Sequence, residues 1–291
     1  MDELLQVTVN GIVLGSLLAI AAVGLTLVYG ILRIVNFAHG DYLTFGGYMA
    51  FVANVTWGVH PVMAAAFAMV MTITLSVSLE FGLWRPLRQR GAGVTSLLLT
   101  SIGLALVLRH AIQWGFGSNV LRYRIDVFQS YAFGPIRMSL NSIVVIIVST
   151  VLIIALGLFL SRSRRGKAMR AIADNPQLAA ASGVNTDEMI VTTWVLAGGL
   201  AGLSGMLLAV LTSSLEINTG FVFLLPIFAA VILGGVGSPF GALAGGLAIG
   251  LITEVSTLAV PFQYKEAIAF TVMIAALLIR PQGLLGKARI L

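Results

Sequence analysis

Ile143-Val144-Val145-Ile146-Ile147-Val148-Ser149-Thr150-Val151-Leu152-Ile153-Ile154-Ala155-Leu156-Gly157-Leu158-Phe159-Leu160 is an apolar run with no charge in it. It is close to the length at which a helix crosses the hydrocarbon core of a bilayer, roughly 20 residues. A transmembrane barrel would show segments of about 10 residues that alternate apolar and polar, and this run has no such alternation. It reads as a membrane-spanning helix. Working outward, comparable apolar blocks lie at residues 4–32, 40–57, 61–84, 94–116, 138–160, 189–213, 221–236, 240–260 and 267–279.

The whole chain agrees with this reading. Of its 291 residues 58% are hydrophobic and 10% charged, whereas a soluble domain carries about a quarter charged residues. So few charges cannot cover a water-facing surface. The expected fold is all-α, a polytopic transmembrane helical bundle of about eight to ten spans forming a single domain over residues 1–291. Cysteine is absent, which excludes disulfides, thiolate metal sites and cysteine catalysis. Met1-Asp2-Glu3 is acidic and leads into a long apolar block, unlike a cleaved signal peptide, so the first span is expected to be retained.

The net charge of +6 does not point to nucleic acid, because most Lys and Arg fall in the short connections. Such residues favour the cytoplasmic face. The basic stretches are Arg85, Arg88 and Arg90; Arg162, Arg164, Arg165, Lys167 and Arg170; and Arg280, Lys287 and Arg289. Nine crossings bring all three to the cytoplasm if the N-terminus is outside and the C-terminus cytoplasmic. Asp2, Glu3 and Glu216 then lie outside, as does the connection 117–137 in spite of Arg122, Arg124 and Arg137.

The seventh block is short and runs into Gly234-Gly235-Val236-Gly237-Ser238-Pro239, which makes it the candidate broken or re-entrant helix. Interruptions survive at membrane depth only where protein or a wet cavity satisfies the freed backbone groups. A weak internal likeness links residues 39–48 with 237–247, both glycine-rich but differently spaced. Small residues four apart let helices in lipid approach closely. Gly11 and Gly15, continued by Ala19, have that spacing, as do Gly198 and Gly202, Ala201 and Gly205, Gly241 and Gly245, and Gly246 and Gly250. They read as packing faces, with sliding during transport as the alternative.

The connection at about 161–188 is too long for a turn and too polar for the bilayer. Gly166 to Ala173 is suited to a short helix. Asp174-Asn175-Pro176 then supplies a cap and a first-turn proline for a second helix over residues 177–182, and Gly183 is a natural stop. Two small helices on the cytoplasmic face make a docking element; the alternative is a basic loop that only sets topology.

Here the chain resembles a known family. Asn175-Pro176-Gln177-Leu178-Ala179-Ala180-Ala181-Ser182-Gly183 is similar to the cytoplasmic loop of ABC importer permeases, in which Glu-Ala-Ala is followed by three variable residues and Gly. Gly166-Lys167-Ala168-Met169-Arg170-Ala171 resembles the version found in branched-chain amino acid permeases. Similar stretches run along the chain: Asn10-Gly11, Gly24-Leu25-Thr26-Leu27-Val28-Tyr29-Gly30, Val35-Asn36-Phe37-Ala38-His39-Gly40, Arg85-Pro86-Leu87-Arg88, Gly234-Gly235-Val236-Gly237-Ser238 and Arg280-Pro281-Gln282-Gly283-Leu284. Gln177 and Leu178 depart from the loop pattern, where Glu and Ala are usual.

The resemblance implies a permease domain that pairs with a second permease subunit, docks two ATP-binding cassette subunits and receives substrate from a periplasmic or extracytoplasmic substrate-binding protein. Branched-chain or other neutral amino acids are the expected cargo, with urea, amides or another small polar solute as alternatives. The residues implied in ATPase coupling are Arg170, Asp174, Gln177, Ala179 and Gly183. No Gly-x-x-x-x-Gly-Lys-Ser/Thr loop occurs in the chain, and Gly283-Leu284-Leu285-Gly286-Lys287 has the wrong spacing. ATP hydrolysis is therefore expected in partner chains. The chain itself is expected not to be an enzyme and to need no cofactor.

Ionisable groups inside spans are costly and face a cavity or a partner. Glu254 lies well inside the eighth block and is a candidate for the translocation pathway or for a helix pairing. Glu80 and Arg109 sit nearer block ends, where Glu80 is expected to have an interfacial partner and Arg109 to snorkel. Asn36, His39 and Asp41 open the second block as a polar helix start that could line the pathway. One His beside one Asp is too small a set for a metal. An ion-coupled secondary transporter would want more buried acids or two clear inverted halves. An intramembrane enzyme would want a His-Glu-x-x-His motif or a Ser and His pair, and neither is seen.

Overall fold

A computed structural model describes residues 2–123, 130–280 and 282–285. Met1, Arg124, Pro281, Gly286, Lys287 and Arg289, on which parts of the charge and motif readings rest, lie outside the described residues. Seven described helices are long and apolar enough to cross a membrane, and a shorter apolar helix spans Thr219–Gly234. With the short second helix, all nine apolar blocks of the sequence are helical.

Helix α1 (Asp2–Leu32) is the axis of the bundle. Asp2 and Glu3 occupy its first turn, where carboxylates complement the helix dipole. From Gly15 to Val28 every residue is buried. A helix apolar on all sides has no face to give to solvent and goes to the centre. Small residues let its neighbour close in: a Cβ added at Gly15 would meet the Leu247 Cα at 2.9 Å. That neighbour is α11 (Pro239–Val255), and α9 (Thr186–Thr212) packs on the same axis. On α9, Gly202 faces Ala68 and Thr72 of α3 (Pro61–Leu79). The spacing read as a packing face thus brings backbones together.

α1 ends at Arg33, which takes a left-handed conformation (φ 57°) and donates its N–H to the Tyr29 carbonyl at 2.9 Å. The chain then doubles back. Helix α2 (His39–Phe51) starts with the His39 ring 3.0 Å from the carbonyl of Ala21, which precedes the end of α1 by 11 residues, about 16 Å at 1.5 Å per residue. The second block is therefore a broken helix that begins inside the bundle, a feature expected only of the seventh block. Its freed N-terminus is served by protein: Asn36 Oδ1 accepts from the Ala38 N–H at 3.1 Å, and Ser101 Oγ from the Phe37 N–H at 3.1 Å. A π-helical turn, Val52–Thr56, ends this segment.

α3 continues through a second π-helical turn (Glu80–Trp84) into α4 (Arg85–Gln89), and α5 (Val94–Phe116) follows. The connection after α5 holds a hairpin, β1 (Ser130–Phe133) and β2 (Ile136–Ser139), paired Ser130 to Ser139 and Phe133 to Ile136. No strand is expected there from hydropathy. The local signal is Gly134-Pro135, with Gly134 at φ 65° in the turn. Gln6 grips this connection by accepting from the Arg137 N–H and donating to its carbonyl, at 2.8 and 3.0 Å. Tyr123 in the same connection donates its buried hydroxyl to the Gly47 carbonyl. Burial pushes that phenol above its ordinary pKa, so it stays a donor.

α6 (Leu140–Arg162) leads to α7 (Arg164–Asp174) and α8 (Pro176–Ala181). α10 (Thr219–Gly234) has 16 residues, about 24 Å against a core of about 30 Å. It stops at Gly235, and the turn to α11 lays Gly237 beside Gly30 of α1. Its last carbonyls are taken by a returning strand of backbone: the N–H of Leu284 donates to Leu233 at 2.8 Å and that of Leu285 to Gly234 at 3.0 Å. α12 (Lys265–Ile279) closes the bundle. Large apolar side chains such as Ile147, Ile154, Leu278 and Ile279 are exposed on α6 and α12, as a lipid- or partner-facing perimeter requires.

Candidate functional site

One end of the bundle carries α7 and α8. Ser163 caps α7 by accepting from the Gly166 N–H at 2.8 Å, and Met169 and Ile172 anchor that helix in the core. Asn175 caps α8 by accepting from the Leu178 N–H at 3.0 Å, Pro176 occupies the first turn, and Gly183 ends it at φ 85°. These are the two helices, the cap and the stop expected from residues 161–188. Arg170, Asp174, Gln177 and Gly183 are at the surface, and Leu178 is 64% exposed. Ala179 is buried and packs α8 down.

Arg165 pairs with Glu188 at 3.0 Å and Arg85 with Asp187 at 2.8 Å, so the first two basic stretches share this end. Arg33, at the same end of α1, donates from Nη2 to the Ala173 carbonyl at 2.8 Å. The N-terminus of α1 and the hairpin connection lie at the opposite end.

In the interior, Asn36, His39 and Asp41 are fully buried within this chain. Asp41 is held by Arg109, with Nε to Oδ1 at 3.1 Å and Nη2 to Oδ2 at 3.4 Å, and the guanidinium also sits 4.3 Å from the centre of the Phe221 ring. Arg109 therefore does not snorkel. A carboxylate on α2 and a guanidinium on α5 neutralise each other, which is the condition for keeping either inside. Opposite single charges in two apolar blocks were the available signal, but nothing in the order of residues says that the two helices meet.

Glu80 has the partners its position called for. Nη1 and Nη2 of Arg88 donate to its two oxygens, and Trp194 Nε1 donates to Oε2 at 2.7 Å. The Trp84 and Trp194 rings stack with centroids 6.1 Å apart, and Tyr42 meets Trp194 edge-on at 6.3 Å. Arg88 stands in the sequence as part of a basic stretch and a family-like motif, with nothing to tie it to Glu80, and Trp194 carries no signal of its own.

At the end of the bundle opposite α7 and α8, Glu254 on α11 meets Lys265 at the start of α12, Nζ to Oε1 2.6 Å. Both line a cavity of about 840 Å³ between α1, α6, α9, α10, α11 and α12. Glu254 is thus the one sequence-selected pathway candidate beside open space, while Asn36, His39 and Asp41 cluster around the broken start of α2. The structure does not bring the two sets together. No group of three or more metal-ligating side chains occurs among the described residues.

Nine apolar helical segments, a helix broken inside the bundle, charge pairs neutralised within spans and a pair of surface helices at one end define a multi-pass membrane protein of the permease class. The chain belongs to the family described as "Branched-chain amino acid transport system / permease component", whose profile matches residues 7–277.

It is 33% identical over 299 residues to the high-affinity branched-chain amino acid transport system permease protein BraD of Pseudomonas aeruginosa, covering 98% of this chain and 97% of that protein. It is 32% identical over 300 residues to the permease protein LivH of the corresponding system in Escherichia coli K12, covering 98% and 96%. Among solved structures, a chain of "PsaBC from Streptococcus pneumoniae in complex with Fab" superposes with a TM-score of 0.52 at 13% identity, covering 97% of this chain and 93% of that one. At that identity the likeness concerns the fold alone.

Proposed function

We propose that this chain is the membrane-spanning permease subunit of an ATP-driven importer for branched-chain or other neutral amino acids. It lies in a bacterial cytoplasmic membrane with its N-terminus outside and its C-terminus in the cytoplasm. The observation that carries this reading is nearly end-to-end identity of about a third with BraD and LivH, both named as permease proteins of high-affinity branched-chain amino acid transport systems. The placement of Arg85, Arg88, Arg165 and Arg170 at one end of the bundle supports the orientation, because Lys and Arg favour the cytoplasmic side.

In this reading α7 and α8 are the coupling element. Arg170, Asp174, Gln177 and Gly183 meet two ATP-binding cassette subunits, and Ala179 seats the short helix. A second permease subunit covers part of the apolar perimeter, and a binding protein delivers substrate at the other end. The polar start of α2, with Asn36, His39 and Asp41, is the element that rearranges along the pathway, because a broken helix shifts with fewer hydrogen bonds to reform than a continuous one. Glu254 belongs to the opposite mouth.

The test is a pull-down of the tagged chain from mild detergent, followed by reconstitution with its co-purifying subunits and measurement of labelled L-leucine uptake. Recovery of a second permease and ATPases with ATP-dependent leucine uptake is expected. Uptake of urea or amides instead would move the substrate, and transport by this chain alone without ATP would overturn the reading.

A further inference from the structure

We infer that the cavity beside Glu254 is a binding site for an amino-acid zwitterion. The inference rests on the reading of the chain as an amino acid permease and adds where within this chain the substrate is held.

The cavity, about 840 Å³, is bounded by the first half of α1, the start of α6, the end of α9, the start of α10, the end of α11 and the start of α12. Small-molecule sites run to roughly 300–1,000 Å³ and share one composition, an apolar wall with a few convergent polar groups. Here Leu14, Phe223 and Pro226 belong to the apolar wall, and Glu254, Lys265 and Glu266 to the polar one. The Glu254 and Lys265 side chains keep 14% and 18% of their surface exposed, whereas Glu80 keeps 2%. Lys265 Nζ also stands 4.2 Å from the centre of the Phe262 ring. A cation and an anion are therefore presented side by side on an apolar cavity wall.

An α-amino acid carries its ammonium and carboxylate two bonds apart across one carbon, so a single molecule can meet both partners. Its carboxylate goes to Lys265 and its ammonium to Glu254, with Glu266 as a second carboxylate nearby. The aliphatic side chain faces Leu14, Phe223 and Pro226. Without substrate the two charges neutralise each other, and with it each finds an opposite charge on the ligand. The Glu254 and Lys265 charges are thus matched in either state, and Glu266 is an exposed residue. A solute with only one charge takes one member of the Glu254 and Lys265 pair and offers nothing to the other, so it gains less than a zwitterion does. The site so built selects zwitterions over simple acids and amines.

The chain has no cysteine, so Thr257→Cys places one thiol on the cavity wall, and Val222→Cys gives the same reading from α10. In the full reconstituted importer the thiol is labelled with a charged methanethiosulfonate reagent in the presence of L-leucine, isovalerate or isopentylamine. L-Leucine at ten times its half-protecting concentration is expected to slow labelling about tenfold, by simple occupancy. The two singly charged analogues should not protect. Glu254→Gln with Lys265→Met should assemble normally and lose leucine protection.

Labelling that leucine leaves unchanged, in an assembly that imports leucine, overturns the site and leaves the permease reading standing. Failure of either thiol to label does the same. Equal protection by isovalerate reduces the cavity to an apolar pocket and overturns zwitterion binding. An assembly that hydrolyses ATP but imports no leucine overturns the reading beneath.

Discussion

Glu80 and Glu254 are both carboxylates set in apolar helices, and both meet a basic side chain, yet their surroundings differ. Glu80 is closed in by Arg88 and Trp194, with both oxygens used and the stacked Trp84 and Trp194 rings alongside. Glu254 has a single cation, Lys265, and faces a cavity. The first arrangement accepts three hydrogen bonds and is closed off, with 2% of the Glu80 side chain exposed. The second retains carboxylate lone pairs and ammonium protons that a ligand can use. An acid within a span is thus sorted by what remains unused around it and not by its depth, and Asp41, bound by two nitrogens of Arg109 and fully buried, falls with Glu80.

The comparison is tested most severely by Glu80→Ala, which strands the Arg88 guanidinium and the Trp194 N–H. Removing one member of a buried pair costs about 3–5 kcal/mol. A collapse of detergent-extracted yield and a large fall in melting temperature are expected, and replacing Glu80 and Arg88 together by Met should restore most of the loss. Asp41→Asn should cost less, roughly 1–3 kcal/mol, since an amide still accepts one hydrogen bond and Arg109 keeps the Phe221 ring; thermal unfolding in detergent reads this.

Gly183→Ile asks the same question at the coupling end. The residue has φ 85° with open space around it, so the expected cost is local strain of about 1–2 kcal/mol. The chain should still insert while ATP-driven uptake falls, and unchanged uptake would remove α8 from the docking role. Smallest in stability is Glu254→Gln, with a change below about 1 kcal/mol for a partly hydrated pair but a clear loss of leucine uptake. Normal uptake at normal yield would return Glu254 to the same structural group as Glu80.

Much of the fold is legible where neighbours in the chain decide the outcome. The apolar blocks specify helices because each satisfies its own backbone. Asn175, Pro176 and Gly183 specify α8 because caps act within one turn. The four-residue spacing of Gly11 and Gly15 marks a packing face. The hairpin at Ser130–Phe133 and Ile136–Ser139 is harder to read, since strands of four residues between spans leave little hydropathic pattern. The depth at which α2 starts is invisible for another reason: Asn36, His39 and Asp41 announce a polar helix start but not where in the bundle it lies, and only the seat of His39 against Ala21 shows the chain turning back.

The sequence by itself determined that this is a helical membrane protein of one family, with a capped pair of surface helices between residues 161 and 188. Each of those statements depends on local composition, capping or motif order. Only the tertiary structure decided that Asp41 meets Arg109 across 68 residues and Glu80 meets Trp194 across 114. The same holds for the Glu254 and Lys265 pair, which lies on the wall of a cavity. In lipid, apolar residues do not say which helix faces which. That choice falls to backbone approach at small residues and to the neutralisation of a few charges, and both are set by pairs far apart in the chain.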